Sequence, residues 1–505
     1  MNENKIAKTA VIVLIINILS RGLALIANSF ITSKIGVNDL TGAYSYALTL
    51  SNILTTIIGT TLTTSVLPIY TDLRENHTID RANSFINNTI SLTVIVSAVI
   101  IFLINIIAPY ISALAGNSAT PYGAFAIRVL VVSILFIALY YIFSSLLQAN
   151  NKFYLAAMVS LPSSMASIIY LVFLSDKGGI YGLTIATLFG FFLQAAFLVP
   201  SLKSTGFKFK LSINYKNEDM FKIFKVVAPV IVGVCAYQIN MLTNGSIAFS
   251  YDPDRYIVLN NAQNLGIQII MTLVLAVSSV IYPKLSHHAA KGNTEDFKNH
   301  LTTTLNSMIL LLIPLSFAFY IFSYEIIDLI YGYGKFTEEY LILGSDVFKM
   351  YSFAFLGIGF KEICDRAFYS LNNTKTSAYN GVVIMAVNII LSFILVKHLG
   401  LPGIAVAYSV ASLIGGINIL VLFKIKNNQL EIKAMAITLI KSLIGCVIMT
   451  VAVIFIKRID FGADKLGVIL KLLASGAAGV IVYALSLMVL KTKEINILIK
   501  RGNLL

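Results

Sequence analysis

The sequence has no tryptophan, only three cysteines and few charges, since 12% of its 505 residues are Asp, Glu, Lys or Arg. A soluble domain carries about 25% charged residues, so this composition excludes an ordinary soluble globular protein. Three cysteines in apolar surroundings, without metal-ligand spacing, exclude a disulfide scaffold and a cysteine metal site. We therefore interpret Cys235, Cys364 and Cys446 as small buried hydrophobic residues.

Long apolar runs are abundant, and 57% of the residues are hydrophobic. Runs of about 20 residues are long enough to cross a bilayer core of about 30 Å as a helix. The pattern predicts an all-α polytopic membrane protein with about 14 transmembrane helices. The predicted spans are 9–33, 44–70, 84–115, 121–148, 153–175, 179–202, 223–251, 256–283, 300–324, 341–371, 376–396, 402–423, 433–456 and 466–490.

The basic residues are unevenly divided between the loops on the two sides of these spans. With a cytoplasmic N-terminus, the cytoplasmic loops and tails hold 22 Lys and Arg and the opposite loops hold 8. This asymmetry predicts that both termini are cytoplasmic. It also explains most of the net charge of +14, so we expect no nucleic-acid partner. The basic loop 204–222 is expected to lie against anionic membrane lipids.

Two halves of the sequence resemble each other at an offset of about 215 to 223 residues. Three pairs of segments carry the repeat: 65–68 with 280–283, 150–152 with 373–375, and 179–186 with 400–407. The predicted domains are an N-terminal six-helix lobe (1–203), a basic cytoplasmic linker (204–222), a C-terminal six-helix lobe (223–430), and two extra helices with a short cytoplasmic tail (431–505). Six spans is an even number, so the lobes are parallel and enclose a cleft suited to alternating access.

Several motifs point to one family of transporters. They are Ser20-Arg21, 52–54 with 67–68, 238–240, 283–286 and 366–376. They resemble the MurJ/MviN lipid II flippases of the multidrug/oligosaccharidyl-lipid/polysaccharide exporter superfamily. The last, starting Arg366-Ala367-Phe368-Tyr369, is similar to that family's Arg-Ala-Phe-Tyr-Ala-Leu-x-Asp-Thr-Lys-Thr. The resemblance implies a flippase of the bacterial cytoplasmic membrane that moves an undecaprenyl-diphosphate-linked cell-envelope precursor from the inner to the outer leaflet.

The chain carries neutral residues where such flippases carry charged ones. The neutral residues are Ala27-Asn28, Thr55-Thr56, Asn244 and Gln263-Asn264. A flippase for another lipid-linked oligosaccharide, such as a surface polysaccharide precursor, is therefore the alternative. A cation-coupled drug exporter of the same superfamily and a membrane-embedded glycosyltransferase are further alternatives.

Arg21 is the strongest candidate for a binding residue, because it falls near the middle of the first span. An unpaired charge there costs about 2.5 to 3.5 kcal/mol, so Arg21 is expected to face the cleft. A guanidinium forks onto phosphate oxygens, which suits a diphosphate, although a structural ion pair is the alternative. The predicted substrate-binding residues are Arg21, Asn28, Asn52, Thr55, Thr56, Gln238, Asn240, Asn244, Gln263 and Asn264. For the uncharged residues of this set, the alternative to substrate binding is a structural role in hydrogen bonding between helices.

Five further charged residues are gating candidates. They are Arg128, Lys361, Glu362, Asp365 and Arg366. The last four have i, i+4 spacing that allows two intrahelical ion pairs, which is the structural interpretation.

The sequence contains no Walker A motif and no nucleophile with a base at a recognisable spacing. We therefore expect no enzymatic activity, no cofactor and no metal site. Coupling to a cation or to the membrane potential is left open, and side-chain oxygens of Asn240 and Asn244, one turn apart, would suit a cation.

Overall fold

The protein is described here by a computed structural model. It describes residues 3–114, 120–150, 152, 154–155, 158, 161–210, 212, 238–371, 373–427, 430–462 and 464–492. Within these residues every regular element is a helix. The all-α prediction is therefore confirmed for the described part of the chain.

Seventeen α-helices and one short 3-10 helix are described. The first eight are α1 (Glu3–Lys34), α2 (Asp39–Asn76), α3 (Ile79–Leu114), α4 (Thr120–Leu130), α5 (Ser133–Ala149), α6 (Leu161–Phe173), α7 (Ser175–Leu202, followed by the 3-10 turn Lys203–Thr205) and α8 (238–251). The others are α9 (Tyr256–Ala290), α10 (Thr294–Ile321), α11 (Ser323–Tyr331), α12 (Glu338–Ser352), α13 (Phe355–Ser370), α14 (Thr374–Leu399), α15 (Leu401–Asn427), α16 (Ile432–Lys457) and α17 (Lys465–Val489).

Eleven of the fourteen predicted spans coincide with stretches long and apolar enough to cross a membrane, if the bent pair α12 and α13 counts as one. The other three predicted spans are 9–33, 153–175 and 223–251. The first coincides with α1, and α6 and α8 lie within the other two, much of which falls outside the described residues. The total of fourteen therefore remains a prediction. Large apolar side chains such as Phe102 and Val489 are 65% and 80% exposed, as lipid-facing residues are.

The described cysteines agree with the sequence interpretation. Cys364 and Cys446 are free and buried, whereas Cys235 lies outside the described residues.

The chain divides into two compact units. The first comprises 1–257 with 333–336, and the second comprises 258–332 with 337–505. In the first unit, α2, α3, α5 and α7 share an apolar core that includes Val66, Phe85, Leu146 and Leu198. Hydrogen bonds add to this packing. The hydroxyl oxygens of Ser51 and Ser133 are 2.7 Å apart, and their hydrogen bond joins α2 to α5.

The backbone supports the internal repeat found in the sequence. Gly179 and Gly400, which the repeat aligns, have φ 53° with ψ −144° and φ 65° with ψ −150°. This is a conformation that essentially only glycine adopts. The fourth and tenth predicted spans are also both broken, between α4 and α5 at residues 131–132 and between α12 and α13 at residues 353–354. These breaks are separated by the same offset of about 222 residues that relates the sequence segments.

In the second unit, two charged pairs connect the last helices to α11. The ammonium of Lys457 lies 2.8 Å from Glu325 Oε1, and that of Lys465 lies 2.6 Å from Asp328 Oδ1. The two additional C-terminal helices are thus attached by ion pairs as well as by apolar packing, because α16 also packs against α10.

A close approach of two backbones joins α13 to α15. A Cβ atom added at Gly357 would lie 2.2 Å from the carbonyl oxygen of Ser412, and one added at Gly416 would lie 2.8 Å from Gly357 Cα. Small residues permit this contact, which is typical of packing between membrane helices.

We predict that Gly357→Ala lowers stability by about 1 to 3 kcal/mol, because the new methyl group meets backbone that cannot move away freely. The measurement is the thermal unfolding midpoint in detergent. Gly381→Ala is the matched control, since a Cβ there has no atom within 4 Å. It should be neutral or stabilising, because alanine favours a helix more than glycine does. Equal midpoints for the two variants would contradict the importance of this contact.

Candidate functional site

A stripe of polar side chains runs along one face of α2. Asn52, Thr56, Thr60 and Thr64 follow one another at four-residue intervals, and all are exposed except Thr60, which is half-buried. Thr56 Oγ1 donates to the carbonyl of Asn52 at 2.7 Å, and Thr64 Oγ1 donates to that of Thr60 at 2.8 Å. Each of these two hydroxyl hydrogens is used within the helix, so each hydroxyl oxygen can still accept a hydrogen bond.

Thr55 differs from its predicted partners in this helix. It is 6% exposed, and its hydroxyl donates to the carbonyl of Asn52 at 3.0 Å. It therefore lies on the packed face of α2, away from the exposed stripe.

A second stripe lies on α9. Asn260, Asn264, Gln268 and Thr272 are again spaced by four residues, the first two half-buried and the last two exposed. The side-chain amide of Asn264 donates to that of Asn260, and Thr272 Oγ1 donates to the carbonyl of Gln268 at 2.7 Å. Gln263, which the sequence also predicts as a binding residue, is half-buried next to this stripe.

Asn260, Gln268 and Thr272 are not among the residues predicted from the sequence. An offset of 216, within the range of the repeat, aligns Gln268 and Thr272 with Asn52 and Thr56. Searching the second copy for the polar spacing of the first would have found them.

Arg21 and Asn28 occupy one face of α1, because seven residues make nearly two full turns. Arg21 is exposed and Asn28 is half-buried, while Ser20 is 2% exposed.

The three predicted residues of α8 are all buried. Gln238 is 7% exposed, and Asn240 and Asn244 are each 4% exposed. The two asparagines are one turn apart, as the sequence predicts, but all three side chains lie within the protein rather than on an open surface.

The end of α8 packs against the start of α2 within the first unit. The Tyr46 and Ser246 hydroxyls are 2.8 Å apart, and the Tyr46 ring stacks on Phe249 with centroids 4.6 Å apart. A Cβ atom at Gly42 would lie 1.7 Å from the carbonyl oxygen of Pro253. Only glycine permits so close a backbone approach.

Carboxylates gather at this contact. Asp254 is exposed, but partial loss of hydration raises its pKa, the negative charges of Asp39 and Asp252 raise it further, and Arg255 lowers it. Arg255 also forms an ion pair with Asp252, with its Nη1 atom 3.1 Å from Oδ2. The contact between α2 and the loop after α8 is thus less favourable when Asp254 is ionised.

The gating candidates in α13 form both ion pairs allowed by their spacing. Lys361 Nζ lies 2.7 Å from Asp365 Oδ2, and Arg366 Nη2 lies 2.6 Å from Glu362 Oε1. The Asp365 side chain is 4% exposed and also accepts a hydrogen bond from Ser377.

Arg366 also connects α13 to α9. Its Nε atom donates to Ser278 Oγ at 3.0 Å, and its guanidinium carbon lies 5.8 Å from the centroid of the Tyr282 ring. The fifth candidate, Arg128, lies in α4. It is exposed, and its Nε donates to the carbonyl of Asn105 in α3 at 3.2 Å.

We predict that Asp254→Asn stabilises the protein at neutral pH and that this advantage disappears in acid. A carboxyl group with a raised pKa in the folded state makes unfolding easier as pH increases from its ordinary pKa to the raised one. Above that pH interval the ionised carboxylate of Asp254 destabilises the fold. Below it the carboxyl group is protonated in both the folded and the unfolded state. The thermal unfolding midpoint as a function of pH measures the difference. Asp176→Asn, at an exposed carboxylate distant in sequence, is the control, and identical pH profiles for wild type and Asp254→Asn would refute the prediction.

Comparison with known proteins covers nearly the whole chain. The sequence profile of the MurJ family, described as lipid II flippase MurJ, matches residues 31–474. A probable lipid II flippase MurJ of Thermotoga maritima is 24% identical over 489 residues, which is 96% of each chain. That of Buchnera aphidicola subsp. Schizaphis graminum is 23% identical over 425 residues, which is 81% of each chain.

Solved structures show the same fold. A lipid II flippase MurJ in an inward closed conformation is similar with a TM-score of 0.78 and 22% identity, over 95% of this chain and 99% of that one. An inward-facing multidrug resistance MATE family transporter of the MOP superfamily has a TM-score of 0.66 and 16% identity, over 83% and 98%. Because the profile match spans both copies of the repeat, the chain belongs to the MurJ family of lipid II flippases.

Proposed function

We propose that this protein is a flippase that moves lipid II across the bacterial cytoplasmic membrane by alternating access. The observation that carries the proposal is the family match over residues 31–474, which includes both polar stripes. A lipid-linked sugar has a polar head that must be shielded from lipid and a polyprenyl tail that must not be. Polar stripes on apolar helices suit such a substrate.

The uncharged stripes on α2 and α9 are suited to the sugar part of the substrate. Hydroxyl oxygens such as that of Thr56 accept hydrogen bonds from sugar hydroxyls, and the exposed amides of Asn52 and Gln268 both donate and accept. Arg21 is the candidate for the diphosphate, because its exposed guanidinium can form two parallel hydrogen bonds to phosphate oxygens. The predicted residues of α8, which are buried here, would meet the substrate only in another conformation.

Alternating access requires a contact that opens and closes. In the proposed topology both termini are cytoplasmic, so the start of α2 and the end of α8 lie on the outer side. The contact of Gly42 with Pro253 and of Tyr46 with Ser246 would then close the outer end of the substrate pathway. The ion pairs of α13 lie towards the cytoplasmic side in this topology and are candidates for an inner closure.

The energy source is also part of the proposal. Asp254 lies beside the proposed outer contact and has a raised pKa, so protons are one candidate coupling ion. The membrane potential and another cation are the alternatives, and measuring flipping while each gradient is abolished separately would distinguish them.

Complementation tests the proposed substrate. We predict that this chain restores growth and lipid II exposure on the outer leaflet in bacteria depleted of their own lipid II flippase. Failure there, together with rescue of a strain defective in surface-polysaccharide export, would replace lipid II by another lipid-linked oligosaccharide as the substrate. Immunodetection of the chain in the membrane is the control for expression.

A substitution series at Arg21 tests its proposed contact with diphosphate. Arg21→Lys keeps the charge but loses the forked geometry, so it should reduce flipping measurably, and Arg21→Ala should abolish it. Both should leave membrane abundance and the unfolding midpoint unchanged, because the side chain is exposed. If Arg21 instead formed a buried ion pair, Arg21→Ala would cost about 3 to 5 kcal/mol of stability. Gly22→Ala, where a Cβ has no atom within 4 Å, is the neighbouring control, and wild-type flipping by Arg21→Ala would exclude Arg21 from the site.

A further inference from the structure

A short segment follows the last turn of α7 and lies along α3. Gly206 ends the 3-10 turn in the left-handed backbone region, with φ +78°, and residues 206–210, here called the strap, belong to no helix. Asn83 Nδ2 donates to the carbonyl of Gly206 at 3.1 Å, and Asn87 Nδ2 donates to that of Lys208 at 2.9 Å. The asparagines are 8% and 4% exposed, so these bonds are shielded from solvent.

The bonds continue in register beyond the strap. The backbone N–H of Lys210 donates to Asn87 Oδ1 at 3.1 Å, and that of Ser212 donates to Ser91 Oγ at 3.4 Å. Every second residue of the segment therefore binds a side chain of α3, and those side chains are four residues apart.

Two periodicities make this register possible. Four residues advance about 6 Å along an α-helix, and two residues advance about 6.6 Å along an extended chain. Polar side chains at positions 83, 87 and 91 can therefore pair with successive even-numbered residues without distorting either element. This match fixes both the position and the rotation of the strap.

The side chains of the strap differ in their exposure. Phe207 packs against the apolar core of the first unit. Lys208, Phe209 and Lys210 are exposed, and Phe209 is 65% exposed. Lys203, in the preceding 3-10 turn, is exposed as well. Residues 203–210 contain three lysines and no acidic residue, so every charged side chain of this segment is basic.

The position of the strap relates this surface to the membrane. The apolar stretch containing α7 is a candidate membrane span over Ser175–Thr205, so the strap begins directly where that span ends. Lysines at the membrane surface attract anionic lipids, and an exposed apolar ring such as that of Phe209 can insert at the boundary between headgroups and acyl chains.

We propose that the strap is a binding site for anionic phospholipid headgroups, with Lys203, Lys208 and Lys210 contacting phosphate and Phe209 inserted into the bilayer beside them. Asn87 is a positioning residue, since it holds the backbone on both sides of Phe209 and is itself buried. The proposal concerns a lipid neighbour rather than the transported substrate, and it holds whether or not the chain flips lipid II.

The absence of tryptophan from the sequence makes a direct test feasible. Phe209→Trp introduces a single tryptophan, whose fluorescence is quenched by brominated lipids in contact with it. The full chain is reconstituted into phosphatidylcholine vesicles containing increasing amounts of brominated phosphatidylglycerol, or of brominated phosphatidylcholine as the comparison. We expect much stronger quenching by the anionic lipid at equal mole fraction. Phe102→Trp, on the exposed apolar face of α3, is the control and should be quenched equally by both.

Removing charge from the strap should remove the preference. In the Phe209→Trp background, Lys208→Gln with Lys210→Gln should lower the relative association constant for phosphatidylglycerol by up to about thirty-fold, which corresponds to about 1 kcal/mol for each lysine. Lys291→Gln with Lys433→Gln removes the same charge from exposed positions elsewhere and should leave the quenching of the Phe209→Trp variant unchanged.

The positioning role of Asn87 has a separate readout. Asn87→Ala leaves the charge unchanged but frees the strap, so the lipid preference should fall while the unfolding midpoint reports any general loss of structure. Equal quenching of Phe209→Trp by both lipids, or an unchanged preference after removal of both strap lysines, would overturn the proposal.

Discussion

The requirement that polar groups find hydrogen bonds within the protein governs this structure, because hydrocarbon offers none. Many hydroxyls of the described membrane helices meet it in one of two ways. Some bond between helices, as Tyr44 does with Thr187 and Tyr122 with Thr184, each at 2.8 Å. Others bond to a carbonyl of their own helix, as Thr56 does. The second arrangement allows a hydroxyl to be exposed on a helix surface, and it is the one used in the two polar stripes.

Charges follow the same requirement and are largely confined to helix ends and ion pairs. Lys457 with Glu325 and Lys465 with Asp328 attach the last two helices. Arg366, which pairs with Glu362 within α13, also binds Ser278 of α9. In our proposal each of the two polar stripes that contact sugar is uncharged, and Arg21 is the group that recognises diphosphate. Such a division between neutral sugar contacts and one cationic phosphate contact fits a substrate whose charge is concentrated at the link between sugar and lipid.

Much of the fold follows from the sequence because the relevant signals are local or periodic. Apolar runs predicted eleven of the stretches that can cross a membrane, and the glycines that the repeat aligns, Gly179 and Gly400, have the same unusual backbone. The i, i+4 spacing likewise predicted both ion pairs of α13.

Contacts between distant segments were not predictable in this way. The binding of Arg366 to Ser278, the packing of Gly42 on Pro253 and the register of the strap on Asn83 and Asn87 depend on how helices meet. The burial of Thr55 beside exposed Thr56 shows the same limit, because composition cannot tell which face of α2 is packed.

The central claim, that the chain moves lipid II between leaflets, is tested most directly with purified protein in vesicles. Lipid II carrying a fluorescent label on its head group is incorporated in both leaflets, and a membrane-impermeant reductant is added outside to quench the exposed label. Without the protein about half of the fluorescence should remain, whereas with the protein the protected half should become accessible with time. An unrelated membrane protein reconstituted at the same density controls for leakage. Protection that persists equally in both preparations, with intact gradients of ions and potential, would contradict the account.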